Sequence, residues 1–107
     1  MPTKYLVAFT KPVSADREEA YNQWYNGTHL PEVTALPGFR SARRFKASTV
    51  QLSGESQFRY LALYELDDVE TAVAALGKSE PDLTQTDTTA PEMQLVLVEE
   101  VFAYAPA

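Results

Sequence analysis

The sequence contains no cysteine. Disulfides, thiolate nucleophiles and thiolate metal sites are therefore excluded. It holds one histidine, His29, one tryptophan, Trp24, and only four glycines. It has no glycine-rich phosphate loop, nucleophile elbow or paired acidic cluster with metal spacing. Long apolar runs are missing too. The N-terminal "MPTKYLVAFTKP" has five apolar residues in succession, too few for a signal-peptide core, and no other run approaches a membrane span. Positive charge is scarce: nine Lys and Arg against fifteen Asp and Glu leave a net charge of −6. Such a surface repels phosphate backbones and anionic lipid. Neither nucleic acid nor membrane is expected as a partner, and a cytoplasmic location is the default.

What remains is a chain of 107 residues, 45% of them apolar. That length fits one domain over residues 1–107. A domain of this size buries only about two-thirds of the surface its unfolded chain exposes, so a second subunit would add stability.

The pattern of residues sets an element order. "KYLVAFT" (4–10) reads as a strand that is apolar on both faces. "SADREEAYNQWYN" reads as a helix, with Asp16 and Glu19 at capping-box spacing, Ser14 as a rival cap, and Gly27 as its stop. Pro31 opens a short further helical turn, which Pro37 and Gly38 close. "FRSARRFKAS" is a second strand, with Phe39, Ser41, Arg43 and Phe45 on one face. "FRYLALYEL" is a third. "DDVETAVAALG" is a second helix, with Asp67 and Glu70 as its capping box and Gly77 as its stop. Residues 78–92 form a long aperiodic loop, either mobile or functional. "MQLVLVEEVFAYA" is the last strand.

The order β-α-β-β-α-β is the ferredoxin-like unit, an α+β fold with a four-stranded antiparallel sheet and two helices on one face. Two helices cannot cover both faces of that sheet. The simplest cover for the bare face is the same face of a second copy, which predicts a homodimer whose two sheets enclose a shared interior.

His29 is the one side chain that titrates near neutral pH without perturbation. It lies at a break between helical segments, "NGTHLP", where it can move protons or simply fill a corner between helix and sheet. His29 and Glu32 have the spacing of a metal-ligand pair, but no second histidine completes a site. A lone histidine could also ligate haem iron, and nothing else in the chain speaks for haem. Chemistry without a metal or cofactor is expected. Tyr21, Trp24 and Tyr25 have the spacing of a buried helical stripe. Tyr60 and Tyr64 share a strand face. If that face lines the dimer interior, their phenols can hold a ligand oxygen; otherwise they are packing contacts. Arg43 is the candidate to hold an anionic ligand. Arg40, Arg44 and Lys46 are read as charges that blunt a sheet edge.

"WYNGTHLPEV" followed by "LPGFRSARRF" resembles the EthD-like proteins of the dimeric α+β barrel superfamily. The resemblance implies a barrel-forming homodimer with His29 at the mouth of a pocket. It also shifts the weight for His29 toward a site role. Relatives in that superfamily include isomerases, cyclases and cofactor-free monooxygenases. On this reading His29 acts as acid or base on a small hydrophobic or aromatic oxygenated substrate. Tyr60 and Arg43 assist it, and Trp24, Tyr25, Tyr64, Phe45 and Phe9 line the pocket. A non-catalytic carrier of a hydrophobic metabolite is the alternative.

Overall fold

The computed structural model describes residues 2–106. Four antiparallel strands form one sheet: β1 (Lys4–Thr10), β2 (Phe39–Lys46), β3 (Tyr60–Leu66) and β4 (Gln94–Glu99), in the spatial order β2-β3-β1-β4. The helical layer is α1 (Glu18–Trp24), a π-helical turn (Tyr25–His29) and α2 (Leu30–Thr34), which run on as one compound helix, together with α3 (Val69–Ser79). The α+β class and the element order are those the sequence predicts. No helix among the described residues is long and apolar enough to cross a membrane.

Strand alternation divides the sheet into two faces. Leu6, Ala8 and Thr10 of β1 and Tyr60, Ala62, Tyr64 and Leu66 of β3 are buried. With Tyr21, Tyr25, Val33 and Ala72 from the helices they make the core. Leu61, Leu63, Val7 and Phe9 lie on the opposite face and are only partly covered, and Phe45 beside them is exposed. The helices thus cover one face and leave an apolar one open.

Local chemistry shifts several predicted boundaries. Gly27 does not stop the first helix; its φ stays negative, so the chain never enters the left-handed conformation that ends a helix. Pro31 has no N–H to offer the Gly27 carbonyl, which an unbroken α-helix would require. The helix instead widens, and Leu30 N–H bonds back to the Tyr25 carbonyl five residues earlier. Gly77 likewise stays helical, and α3 continues to Ser79. Its cap is Asp68 rather than Asp67: the Asp68 carboxylate accepts from Thr71 N–H at 2.9 Å and the Thr71 hydroxyl at 2.6 Å. Asp67 is held one residue back, its N–H bonded to the Gly38 carbonyl at 2.8 Å. Gly38 itself has φ +90°, and a Cβ there would sit 2.5 Å from Ala72 N, so only glycine fits between β2 and α3.

Two corrections bear on the site. A bulge in β2 separates Phe39, opposite Leu66, from Ser41, opposite Glu65. Phe39 therefore joins the buried face with Ala42 and Arg44, and does not share a face with Arg43 and Phe45. The last strand ends at Glu99 instead of continuing to residue 105, because its partner β1 starts at Lys4, opposite Glu99. The predicted loop 78–92 is docked rather than free. It begins with a 3-10 turn, Glu80–Asp82, and buries Thr88 and Ala90. Ala90 N–H bonds to the Lys11 carbonyl at 2.9 Å, Val13 N–H bonds to the Thr88 carbonyl at 2.7 Å, and Arg17 pairs with Asp87 at 2.8 Å.

Candidate functional site

Between the helical layer and the sheet lies a cavity of about 620 Å³. Its floor is apolar, from Leu6 and Ala8 of β1 and Leu95 of β4. The compound helix contributes Trp24, Tyr25 and His29, and the docked loop closes one side with Thr84, Thr86 and Thr89. The π turn matters here. One extra residue per turn rotates everything after Tyr25 relative to α1, and His29 ends on the cavity wall beside Trp24. The two rings stack, centroids 4.5 Å apart and planes 22° apart, while Tyr25 meets His29 edge-on at 5.0 Å.

Burial holds the His29 imidazole below its ordinary pKa; Glu32 opposes this and Arg44 adds to it. The ring is therefore neutral at neutral pH, with one lone pair free to accept a proton. Glu32 is engaged elsewhere. Its carboxylate accepts from Thr84 N–H at 2.9 Å and the Thr84 hydroxyl at 2.6 Å, and these bonds hold it below the usual carboxylate range. The contact ties the loop to α2, one helical turn from His29.

Among the described residues, five buried side-chain polar atoms have no hydrogen-bond partner: Trp24 Nε1, His29 Nδ1 and Thr89 Oγ1, which lie behind the cavity surface, and Nε and Nη2 of Arg44. Burial raises the pKa values of both the Tyr25 and the Tyr64 hydroxyls; Thr10 opposes this at Tyr25, and Tyr25 adds to it at Tyr64. Both phenols stay protonated at every physiological pH.

The other end of the same layer is closed. Arg44 enters from β2 beneath the helix, its guanidinium 4.2 Å from the Tyr25 ring centre, 4.9 Å from Tyr60 and 5.2 Å from Tyr21. Its Nη1 donates to Asn22 Oδ1 and Asn26 Oδ1, each at 2.9 Å, so it spans the start of the π turn. Asn22 Nδ2 donates to the Tyr60 hydroxyl at 3.1 Å, and Tyr60 donates to Glu18. Tyr60, Lys46 and Arg59 together hold the Glu18 carboxyl below its ordinary value, the tyrosine bond contributing most.

The structure thus brings four of the sequence-predicted site residues together: His29, Trp24, Tyr25 and Tyr64. It does not bring the other four to the cavity. Tyr60 lies in the closed network. Arg43, Phe45 and Phe9 occupy the open face, on the far side of the sheet. The expectation that Tyr60 and Tyr64 line a chamber on the bare face is corrected: strand alternation turns them toward the helices, and the cavity lies on the helix side of the sheet, within the chain. Sequence reasoning missed Arg44, placed among edge charges, and Thr89. The bulge reverses the face of Phe39, which was grouped with Arg43. Arg44 alternates with Arg43 along β2, so the guanidinium on the helix-facing side is Arg44. Nothing in the sequence singles out Thr89.

Residues 4–98 match the family described as a domain of unknown function, DUF4286. The chain belongs to that family. No curated protein matches it. Among solved structures, this DUF4286 chain is similar to an ethyl tert-butyl ether D (EthD) family protein from Bacillus halodurans C-125. They share 22% identity over 94% of this chain and 100% of that one, with a TM-score of 0.61. It is also similar to HapK from Hahella chejuensis, at 13% identity over 97% and 98% of the two chains and a TM-score of 0.66. At these identities the likeness is one of fold, and the EthD-like fold implied by the sequence resemblance is the one observed.

Proposed function

We propose that the DUF4286 chain binds a small oxygenated, largely apolar or aromatic molecule in this cavity and moves a proton on it with His29. The observation that carries the reading is the His29 imidazole on the wall of a cavity of about 620 Å³, where burial pushes its pKa down. A base of depressed pKa remains unprotonated at neutral pH, and the apolar floor strengthens its interactions by excluding water. His29 would take a proton from a carbon next to a carbonyl, giving an enolate and an imidazolium, and return it to the same or a neighbouring carbon. Such a step needs no metal or cofactor. Tyr64 and Tyr25, kept protonated by burial, stand close enough to the wall to donate toward the developing oxygen charge.

We also infer that the open face, with Phe9, Phe45, Leu61 and Leu63, is covered by a second copy. In that arrangement Arg43 stands at the subunit contact rather than at the substrate.

The test is exchange of the C1 and C3 protons of 2-tetralone with deuterium oxide, followed by NMR. The native protein should accelerate exchange, and His29→Gln should reduce the acceleration at least about 100-fold. Binding without acceleration would reject catalysis and leave the carrier reading.

A further inference from the structure

Beyond β4 the chain carries apolar residues that its own fold leaves bare. Val101 is 96% exposed, and Phe102 and Tyr104 are each 79% exposed. The last backbone bond of this edge runs from Glu100 N–H to the Thr3 carbonyl at 2.8 Å, and β1 pairs with β4 no further than Lys4 opposite Glu99. The stretch "EEVFAYA" holds no glycine, asparagine, aspartate or proline to turn it back onto its own strand. An anionic lipid surface is a poor cover, because Glu99 and Glu100 stand at the root of the segment.

We infer that this segment, with the β4 strand it continues, lies against β2 of a second copy of the chain, and that the two-fold axis of the dimer runs parallel to the strands. The inference rests on the reading that a second copy covers the open face, and it fixes how that copy is placed.

Strands β2 and β4 are the two edges of the sheet and run antiparallel to one another. With two open faces apposed, an axis parallel to the strands sets β4 of each copy across from β2 of the other, at the same level. Glu99 then comes level with Phe39 and Arg40 of the second copy, and Val96 with its Arg43. An axis across the strands would set β4 against β4 and β2 against β2.

Charge decides between the two. Arg40, Arg43, Arg44 and Lys46 of β2 are four of the nine Lys and Arg in the chain, whereas residues 91–107 hold Glu92, Glu99 and Glu100 and no Lys or Arg. Arg43, Glu99 and Glu100 are exposed and make no ion pair among the described residues. Like edges repel, and unlike edges attract. Ahead of Phe39 the second copy presents the turn into β2, where Leu36 is half-buried and Pro37 exposed. Phe102 and Tyr104 extend to that level and gain apolar partners there.

The chain has no cysteine, so single thiols can be placed cleanly. The test mixes full-length Ser41→Cys and Glu99→Cys chains, both changed at exposed positions, and treats them with a dimaleimide that spans about 10 Å, the spacing of two packed sheets. The mixed dimer should cross-link, its mass showing one chain of each kind. Glu99→Cys alone should not, because its two thiols stand about 17 Å apart, three strand spacings across and one sheet spacing through. In sedimentation equilibrium, removal of residues 101–107 should weaken dimerisation at least about tenfold. A native dimer that gives no mixed product, or whose affinity the truncation leaves untouched, would overturn the inference and leave the second copy in place. A native chain that stays monomeric would remove the second-copy reading as well.

Discussion

The two ends of the layer between helices and sheet use similar residues to opposite effect. At the closed end Tyr21, Tyr60, Asn22 and Arg44 pack so that oxygen and nitrogen meet one another, and the two Arg44 nitrogens without such partners lie among ring faces. At the open end Trp24, Tyr25 and His29 border a cavity floored by Leu6, Ala8 and Leu95. Aromatic residues are common to both ends and do not distinguish them. The space between the rings does: it is filled at one end and hollow at the other. A tyrosine that satisfies its neighbours is architecture, and an imidazole beside a chamber is a candidate for chemistry.

Arg44→Ala strikes at the boundary between the ends, and its effect should be the largest. It removes a cation from three ring faces and leaves two asparagine oxygens without their donor, for about 2–4 kcal/mol of stability in urea unfolding. Arg44→Lys should recover only part of this, because an ammonium cannot reproduce the planar contacts. Tyr60→Phe sharpens the contrast. It should cost about 1–2 kcal/mol by breaking the Glu18 and Asn22 bonds, yet leave 2-tetralone binding unchanged. A loss of ligand affinity there would erase the distinction between the ends. Smallest in effect is Glu32→Gln, which weakens the Thr84 tether; hydrogen exchange at Thr84 and its neighbours should quicken while the amides of β1 and β3 stay protected.

Much of this was legible in the sequence. The alternation of β1 and β3 and the two helical stripes yield the fold, and the stretch around "WYNGTHLPEV" draws attention to His29, Trp24 and Tyr25. The location of the cavity was not legible. Face assignment on β2 depends on a bulge at Arg40 that relocates Phe39, and no residue pattern announces it. The choice of which sheet face holds Tyr60 and Tyr64 depends on where the helices dock, a tertiary fact. The π turn was hidden for a related reason. Gly27 and Pro31 read as punctuation, whereas the helix absorbs both by widening. The 78–92 loop lacks periodicity because its order comes from distant partners, Glu32, Lys11 and Arg17.

The downward pKa shift of the half-buried His29 can be tested directly, because the chain's single histidine gives a single Cε1–H resonance. Its titration midpoint should lie below the ordinary value of about 6.5 and fall further when 2-tetralone fills the cavity. The sign for stability follows. As pH drops through 6.5 the unfolded chain takes up the proton before the folded one does, so the contribution of His29 is complete above that pH and is lost on acidification through the folded midpoint. A midpoint at or above 6.5, indifferent to the ligand, would show an imidazole open to water and would contradict the account.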